Sequence, residues 1–445
     1  MKTKTDPFSQ YVNPIKGASE DFDSVLSFIA DASIVLMGEA SHGTHEFYNA
    51  RATMAKRLIV EKNFRTIAIE GNFPDVYRIN RYINFQGDDT SARESLEDFK
   101  RFPLWMWRNE EMLSFIQWLR NYNKAQPSEE RVSIYGLDLY SLYTSIKIVI
   151  DQLQKIDPQA AAVAEQRYNC FDVYQDPQEY GYLASVFEEK SCRQEALAEY
   201  VEIVKKRVAQ FKYDNLDTRQ EKFYVQQNAL LVKNAEQYYT SLFSTDRAAS
   251  WNMRDSHMME VIRDVLKYNK GTGRSHKMIV WAHNSHVGDA RATQMASRGE
   301  LNVGQLAKEE FGAQAVAIGF TTYIGTVSAA SAWDAPVERK KVRPALENSV
   351  EYFFHEIGAE AFVVIPSQHP ELYQLFSENK YLERAIGVIY LPQTERHSHY
   401  FYAQLSKQFD IIIHYDTTHA VKPIDVSTHW ESGEEDAPET FPFGV

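Results

Sequence analysis

The stretch GEASHGTHEFYNAR (38–51) places Glu39, His42, His45, Glu46 and Arg51 close together in the chain. Elsewhere, Glu70 ends the apolar run TIAIEGN (66–72), and Asp138 ends VSIYGLD (132–138). His283 and His286 follow KMIVW in a His-Asn-Ser-His run. Carboxylates and imidazoles are the side chains that move protons near neutral pH, orient water or hold a divalent ion. Glu39 and Glu70 ride on otherwise apolar segments, where an unpaired charge is costly. That cost argues for one functional cluster rather than scattered polar surface.

Three chemistries fit these residue types. A covalent route would need a nucleophile, and Ser41 lies beside His42, but no G-x-S-x-G elbow surrounds it and neither Cys170 nor Cys192 lies near a strand-end motif. A metal site would use Glu-x-x-His at 39–42 and His-x-x-His at 283–286, with Glu70 and Asp138 completing the ligands, yet no helical H-E-x-x-H signature is present. Direct water activation would use His42 as general base, with Glu39 or Glu70 fixing the ring or positioning the water. His283 or His286 would then stabilise the oxyanion or protonate the leaving oxygen.

Nearly continuous apolar runs position these residues: 33–40, 66–72, 132–138, 277–284, 315–322, 361–367, 385–391 and 409–417. Such runs suit strands buried on both faces of a mostly parallel sheet. Helical patterns lie between them, starting with Phe47, Ala50, Met54 and Leu58 after a capping Thr44. The expected class is α/β, a three-layer α/β/α fold. Strand-like runs are missing between about Tyr140 and Tyr268, where periodic stretches such as 194–213 and 219–239 predict a helical insertion. The expected organisation is a first half of the core over 1–140, an insertion forming one wall of the cleft over 141–270, and a second half plus tail over 271–445. In open α/β sheets ligands bind outside the carboxyl ends of strands, where Glu39, Glu70, Asp138 and His283 all fall. Asp138, Tyr140, Arg51 and Arg254 (in WNMRD) are candidate substrate contacts, as are Trp105 and Trp107 of RFPLWMWRN, which alternatively plug the gap between sheet and insertion. The N-terminus of the helix after Gly43 and Thr44 is a further place for negative charge.

The 445 residues carry 48 Lys and Arg against 61 Asp and Glu, a net charge of -13 that argues against general nucleic-acid or anionic-membrane binding. The N-terminal residues lack the apolar core of a signal peptide, and no run approaches the ~18 apolar residues of a membrane span, so a cytoplasmic protein is expected. The two cysteines are expected as separate thiols rather than a disulfide framework. The tail ESGEEDAPETFPFGV (431–445) is expected to wrap the surface.

GEASHGTHEFYNAR, IAIEGN, GLDLYS and WAHNSHVGDAR, in this order, resemble the erythromycin esterase family, as does the closing segment from Thr418 onward. The resemblance implies hydrolysis of a lactone ester without an obligatory metal or cofactor. It places the family's GE-x-x-H residues on Glu39 and His42, its strand-end glutamate on Glu70 and its paired histidines on His283 and His286. Its arginines fall on Arg51 and Arg254. The implied partner is a small-molecule ester or macrolide, with macrolide resistance as a consequence, and oligomeric state is left open. A metal-dependent hydrolase of another ester, or a binding protein without turnover, are the alternatives.

Overall fold

Seven of the eight apolar runs become strands, each largely sealed from water on both sides. The computed structural model describes residues 7–210 and 216–433. Its strands are β1 (Asn13–Pro14), β2 (Ile34–Met37), β3 (Thr66–Asn72), β4 (Ser133–Asp138), β5 (Met278–Trp281), β6 (Ala315–Ala329), β7 (Glu338–Val342), β8 (Ala361–Val364), β9 (Tyr381–Arg384), β10 (Tyr400–Ala403) and β11 (Ile411–Thr418). Among the described residues, nine form one sheet ordered β1-β8-β11-β6-β2-β5-β3-β4, with β7 beside β6. From β11 to β4 all neighbours are parallel. The edge pairings β1–β8 and β8–β11, and β6–β7, are antiparallel.

Alternate residues of one strand enter different cores. Ile34, Leu36, Met278, Val280, Ala315 and Ala317 face one apolar cluster. Val35, Met37, Ile279, Trp281, Val316 and Ile318 face the other. Fully burying each Val, Leu or Ile side chain contributes about 1.5–3 kcal/mol, so a slip of one residue would cost both layers at once. Helices α1 (Asp23–Ile29), α2 (His45–Lys62), α3 (Phe73–Ile83) and α4 (Glu110–Lys124) contribute to the second cluster. Between β4 and β5 run α5 (Leu142–Ile156), α6 (Pro158–Tyr168), α7 (Pro177–Val186), α8 (Arg193–Gln210), α9 (Leu216–Ser241) and α10 (Ala249–Thr272), which build the first. The result is an α/β fold in layers around a mostly parallel sheet. Among the described residues, no helix is long and apolar enough to cross a membrane.

Two expectations are corrected. AIGVIYL (385–391) is not a strand of the sheet; it lies across the carboxyl ends of the strands. Ile386 bridges to Ser41 and Ile389 to Ala330, and Ile386 N–H donates to the Ala40 carbonyl at 2.8 Å. Docking there buries Ile386 and Tyr390 and leaves the rest half-buried or, at Leu391, exposed, and an apolar run alone does not distinguish this from strand pairing. β9 and β10 form a separate antiparallel hairpin around this segment. The expectation for the tail lies, from residue 434 on, outside the described residues, as do residues 211–213 of the periodic stretch 194–213.

The second correction concerns the cysteines, which are joined as Cys170–Cys192 across 22 residues. The chain between them doubles back through α7, and the Tyr180 hydroxyl fixes the return by accepting Cys192 N–H at 2.8 Å and donating to Glu236 on α9 at 2.8 Å. A crosslink closing a loop of this length stabilises by ~3 kcal/mol in the chain-entropy model. Replacing Cys170 and Cys192 together by alanine should lower the urea midpoint followed by circular dichroism; an unchanged midpoint would mean that the link contributes nothing.

Two glycines bring the site segment onto the sheet. A Cβ on Gly38 would meet Asn284 Oδ1 at 2.1 Å, and one on Gly43 would meet the Ser328 carbonyl oxygen at 1.9 Å. Glu39 and His42 therefore stand on a backbone pressed against its neighbours, between two positions with no room for a side chain.

Candidate active site

β2, β5, β3 and β4 are consecutive parallel neighbours, so their carboxyl ends open on one edge. Each end delivers one ionisable group: Glu39, His283, Glu70 and Asp138. Glu39 is fully buried between two partners, with Arg51 Nη2 donating to Oε2 at 2.6 Å and His42 Nδ1 lying 3.0 Å from Oε1. Arg51, also fully buried, lies over the rings of Tyr48 and Trp281 at 4.5 and 5.1 Å, a favourable place for a desolvated cation. With Glu39 Oε1 as its partner, Nδ1 of a neutral His42 carries the proton and donates it. His42 Nε2 is then the unprotonated nitrogen, and it makes no hydrogen bond to the described residues. The Tyr48 hydroxyl donates to the His42 carbonyl at 3.1 Å and fixes the backbone beneath.

A second network surrounds Arg254 of α10. Its Nε and Nη2 grip Asp138 at 3.0 and 2.7 Å, and Nη2 also reaches Glu70 Oε1 at 2.8 Å. Nη1 lies 3.0 Å from His286 Nε2. The other oxygen of Glu70 accepts the backbone N–H of His283 at 2.8 Å. Burial opposes the charge on Glu70, but His286 and Arg254 outweigh it and hold the carboxyl well below its usual range. His286 Nδ1 faces both oxygens of Asp255 at 2.9 Å, and its ring stacks on Trp251 with centroids 4.6 Å apart and planes 7° from parallel. Burial works against charge on His286 as well, yet Asp255 and then Glu70 raise it to about 9. The arginine hydrogen aimed at Nε2 suits a neutral ring. Three carboxylates facing one guanidinium decide for the imidazolium, which then turns its Nε2 proton to Glu70 Oε1, 3.4 Å away.

His283 behaves in the opposite way. Burial first, then the neighbouring His42, push its ring down to about 3, so it is neutral. Its Nδ1 accepts Ser285 N–H at 3.2 Å and lies 2.8 Å from the Ser285 hydroxyl. The ring proton therefore resides on Nε2, which is buried with no hydrogen-bond partner. The His283 and His42 rings lie 4.8 Å apart. Both residues line one cavity of about 490 Å³, together with Glu70, Asp138, Tyr140 and Trp107, with His283 Nε2 itself enclosed in the wall. That volume falls within the ~300–1,000 Å³ of small-molecule sites.

The structure brings together His42, Glu70, Asp138, Tyr140, Trp107, Arg254, His283 and His286 on this cavity, with Glu39 directly behind His42. Two residues expected to touch substrate do not. Arg51 is fully enclosed and committed to Glu39, and Trp105 is buried in the apolar core, edge-on to Phe102. Trp107 does line the cavity and donates Nε1 to the Glu70 carbonyl at 3.0 Å. The α2 N-terminus is not an open anion site, since His45 N–H donates to the His419 carbonyl at 2.8 Å. Thr44 stands at the cap position but gives no side-chain oxygen to the helix, pairing instead with Ser41. Nor do the carboxylates and histidines gather as metal ligands: among the described residues no group of three or more is placed to hold an ion, because the network binds them to one another.

Residues not foreseen include Trp251 and Asp255. Their spacing with Arg254 on a helix (251, 254, 255) puts all three on one face, the one signal that could have revealed them. Asp75, on the first turn of α3, also lines the cavity. Burial pushes its carboxyl up to about 7, only partly offset by the Asn72 amide that donates to it at 2.9 Å. The segment 385–401 adds Val388, His399 and Phe401 at the rim.

The sequence model of the family described as erythromycin esterase matches residues 59–418. Erythromycin esterase type II of Escherichia coli is 25% identical over 339 residues, covering 74% of this chain and 78% of that protein. A solved Bacillus cereus protein superposes with a TM-score of 0.77 at 20% identity, covering 94% of this chain and 97% of the other. A mutant of the erythromycin esterase EreC in its open conformation gives a TM-score of 0.65 at 18% identity, over 93% and 97% of the two chains. These structures share the fold.

Proposed function

The chain belongs to the erythromycin esterase family, and from that premise we propose that it hydrolyses a macrolactone or another carboxylic ester with water activated by His42. The observation that carries this reading is the buried relay Arg51–Glu39–His42, which leaves one basic imidazole nitrogen at the cavity. His42 Nε2 takes a proton from water as the water oxygen bonds to the ester carbon. Glu70, kept ionised, accepts the water's second hydrogen and aims its lone pair. The carbonyl oxygen gains charge beside the neutral His283, which lines the cavity and donates its Nε2 proton once the ring turns that enclosed atom toward the oxygen. On collapse the C–O bond breaks, and the proton held by His42 passes to the leaving oxygen, giving acid and alcohol. His42 serves as both base and acid, and no covalent intermediate is formed.

Asp138 and Arg254 hold Glu70 in place, while Tyr140 and Trp107 supply walls for the substrate. The helical insertion over 141–270 forms one side of the cleft in this reading. Incubation with a panel of macrolides and simple aryl esters should yield product heavier by one water, with turnover unchanged by a chelator. A role in macrolide resistance follows if macrolides are among the substrates. Tight binding with no mass gain would favour a ligand-binding protein, and loss of activity on chelation a metal-dependent hydrolase.

A further inference from the structure

His286 lies in the cavity wall with both ring nitrogens engaged, and its neighbour on α10, Asp255, has no other side chain to serve. Asp255 is fully buried. Both its oxygens lie 2.9 Å from His286 Nδ1, and Oδ1 also accepts Val303 N–H at 3.0 Å. Trp251, one helical turn before, covers the face of the same ring. A carboxylate held this way fixes both the orientation and the charge of a histidine. We propose that Asp255 is a positioning residue that maintains His286 as an imidazolium, and that this charge keeps Glu70 ionised and aimed into the cavity.

Every charged group around the ring bears on this assignment. Asp255 and Arg254 come from α10 and Glu70 from β3, while Asp138 of β4 acts through Arg254. His283, three residues before it, is neutral for the reasons given above. Glu300, beyond Asp255, is itself pushed up by burial, eased by Arg298 and reinforced by Asp255. Arg254 and an imidazolium together face Glu70, Asp138 and Asp255, leaving one net negative charge; a neutral His286 would leave two in the same buried space. Because the folded ring is raised to about 9 above its ordinary ~6.5, its stabilising contribution is complete below that ordinary value. It is lost as pH rises through about 9.

The catalytic part of the proposal rests on the hydrolase reading; the state of the ring does not. Histidine-labelled protein, with the His286 signals assigned by their loss in His286→Gln, should show both ring nitrogens protonated at pH 7.5. In Asp255→Asn the ring should be neutral at that pH. Ester turnover in the wild type should fall as pH rises through about 9. In Asp255→Asn that fall should move at least about one pH unit lower, with kcat down about 10–100-fold, the usual effect of removing such a supporting group. Asp255→Glu, which restores the charge, should recover the imidazolium signals and part of the rate. A neutral His286 in the wild type, or one unchanged in Asp255→Asn, overturns the proposal, and so does a turnover profile that Asp255→Asn leaves unmoved. Should Asp255→Asn fail to fold, the wild-type ring and Asp255→Glu still decide. Protonated wild-type rings without hydrolysis of any ester would count against the hydrolase reading alone.

Discussion

His42→Ala should abolish ester turnover, lowering kcat by about 10²–10⁴-fold, the range expected for loss of a positioned general base. Its circular dichroism and urea midpoint should stay close to the wild type. The separation is expected because of where the imidazole stands. One nitrogen adjoins the cavity, while the backbone of the segment is held by Gly38 and Gly43 against their neighbours and by Tyr48 from below. Removing the ring frees one oxygen of Glu39, whose other oxygen keeps Arg51, so the buried charge remains neutralised. Glu39→Gln should have a different signature. It keeps the shape but strips Arg51 of its partner, so activity and stability fall together. Full turnover in a folded His42→Ala protein would remove the proposed mechanism, leaving family membership untouched.

Much of this arrangement was legible in the sequence, for a physical reason. Strands buried on both faces must be apolar throughout, so an acidic residue at the end of such a run stands out. Glu39, Glu70 and Asp138 were found by that contrast. The same logic failed where burial has another source. AIGVIYL is as apolar as any strand yet lies across the sheet's end, buried only at Ile386 and Tyr390, whereas β7, ERKKV, is a strand with charged side chains because it pairs at the far extension of β6. Expectations for single side chains divided by reach. Arg51 follows the first motif and Arg254 stands in WNMRD, but Arg51 is enclosed behind Glu39 while Arg254 comes to the cavity wall. Asp255 is one residue from Arg254, and its importance depends on which face of α10 meets His286. A sequence spacing allows that contact but does not specify it.

Arg254→Met should be the most destabilising single change in the site, costing about 3–5 kcal/mol at neutral pH, the usual penalty for removing one partner of a buried ion pair. Arg254 is shared between two nearly buried carboxylates, Glu70 and Asp138, so its loss strands both. The pH dependence carries a definite sign. In the wild type Glu70 is held well below its usual range, so its charged form supports folding above the ordinary carboxylate value, and that support fades as pH falls through the depressed one. Without Arg254, burial favours the protonated acid, and the deficit of the variant grows with rising pH. Urea midpoints compared at pH 5 and 7.5 should therefore show the smaller gap in acid. Asp138→Asn added to Arg254→Met should recover part of the loss, since a neutral amide asks less of the missing cation, while Glu70→Gln should recover stability without turnover. An equal gap at both pH values, with no recovery in either double variant, would mean that Arg254 contributes packing rather than charge. The guanidinium would then have to be satisfied by groups other than the carboxylates it touches, and the coupling between its charge and the ionised state of Glu70 would fall with it.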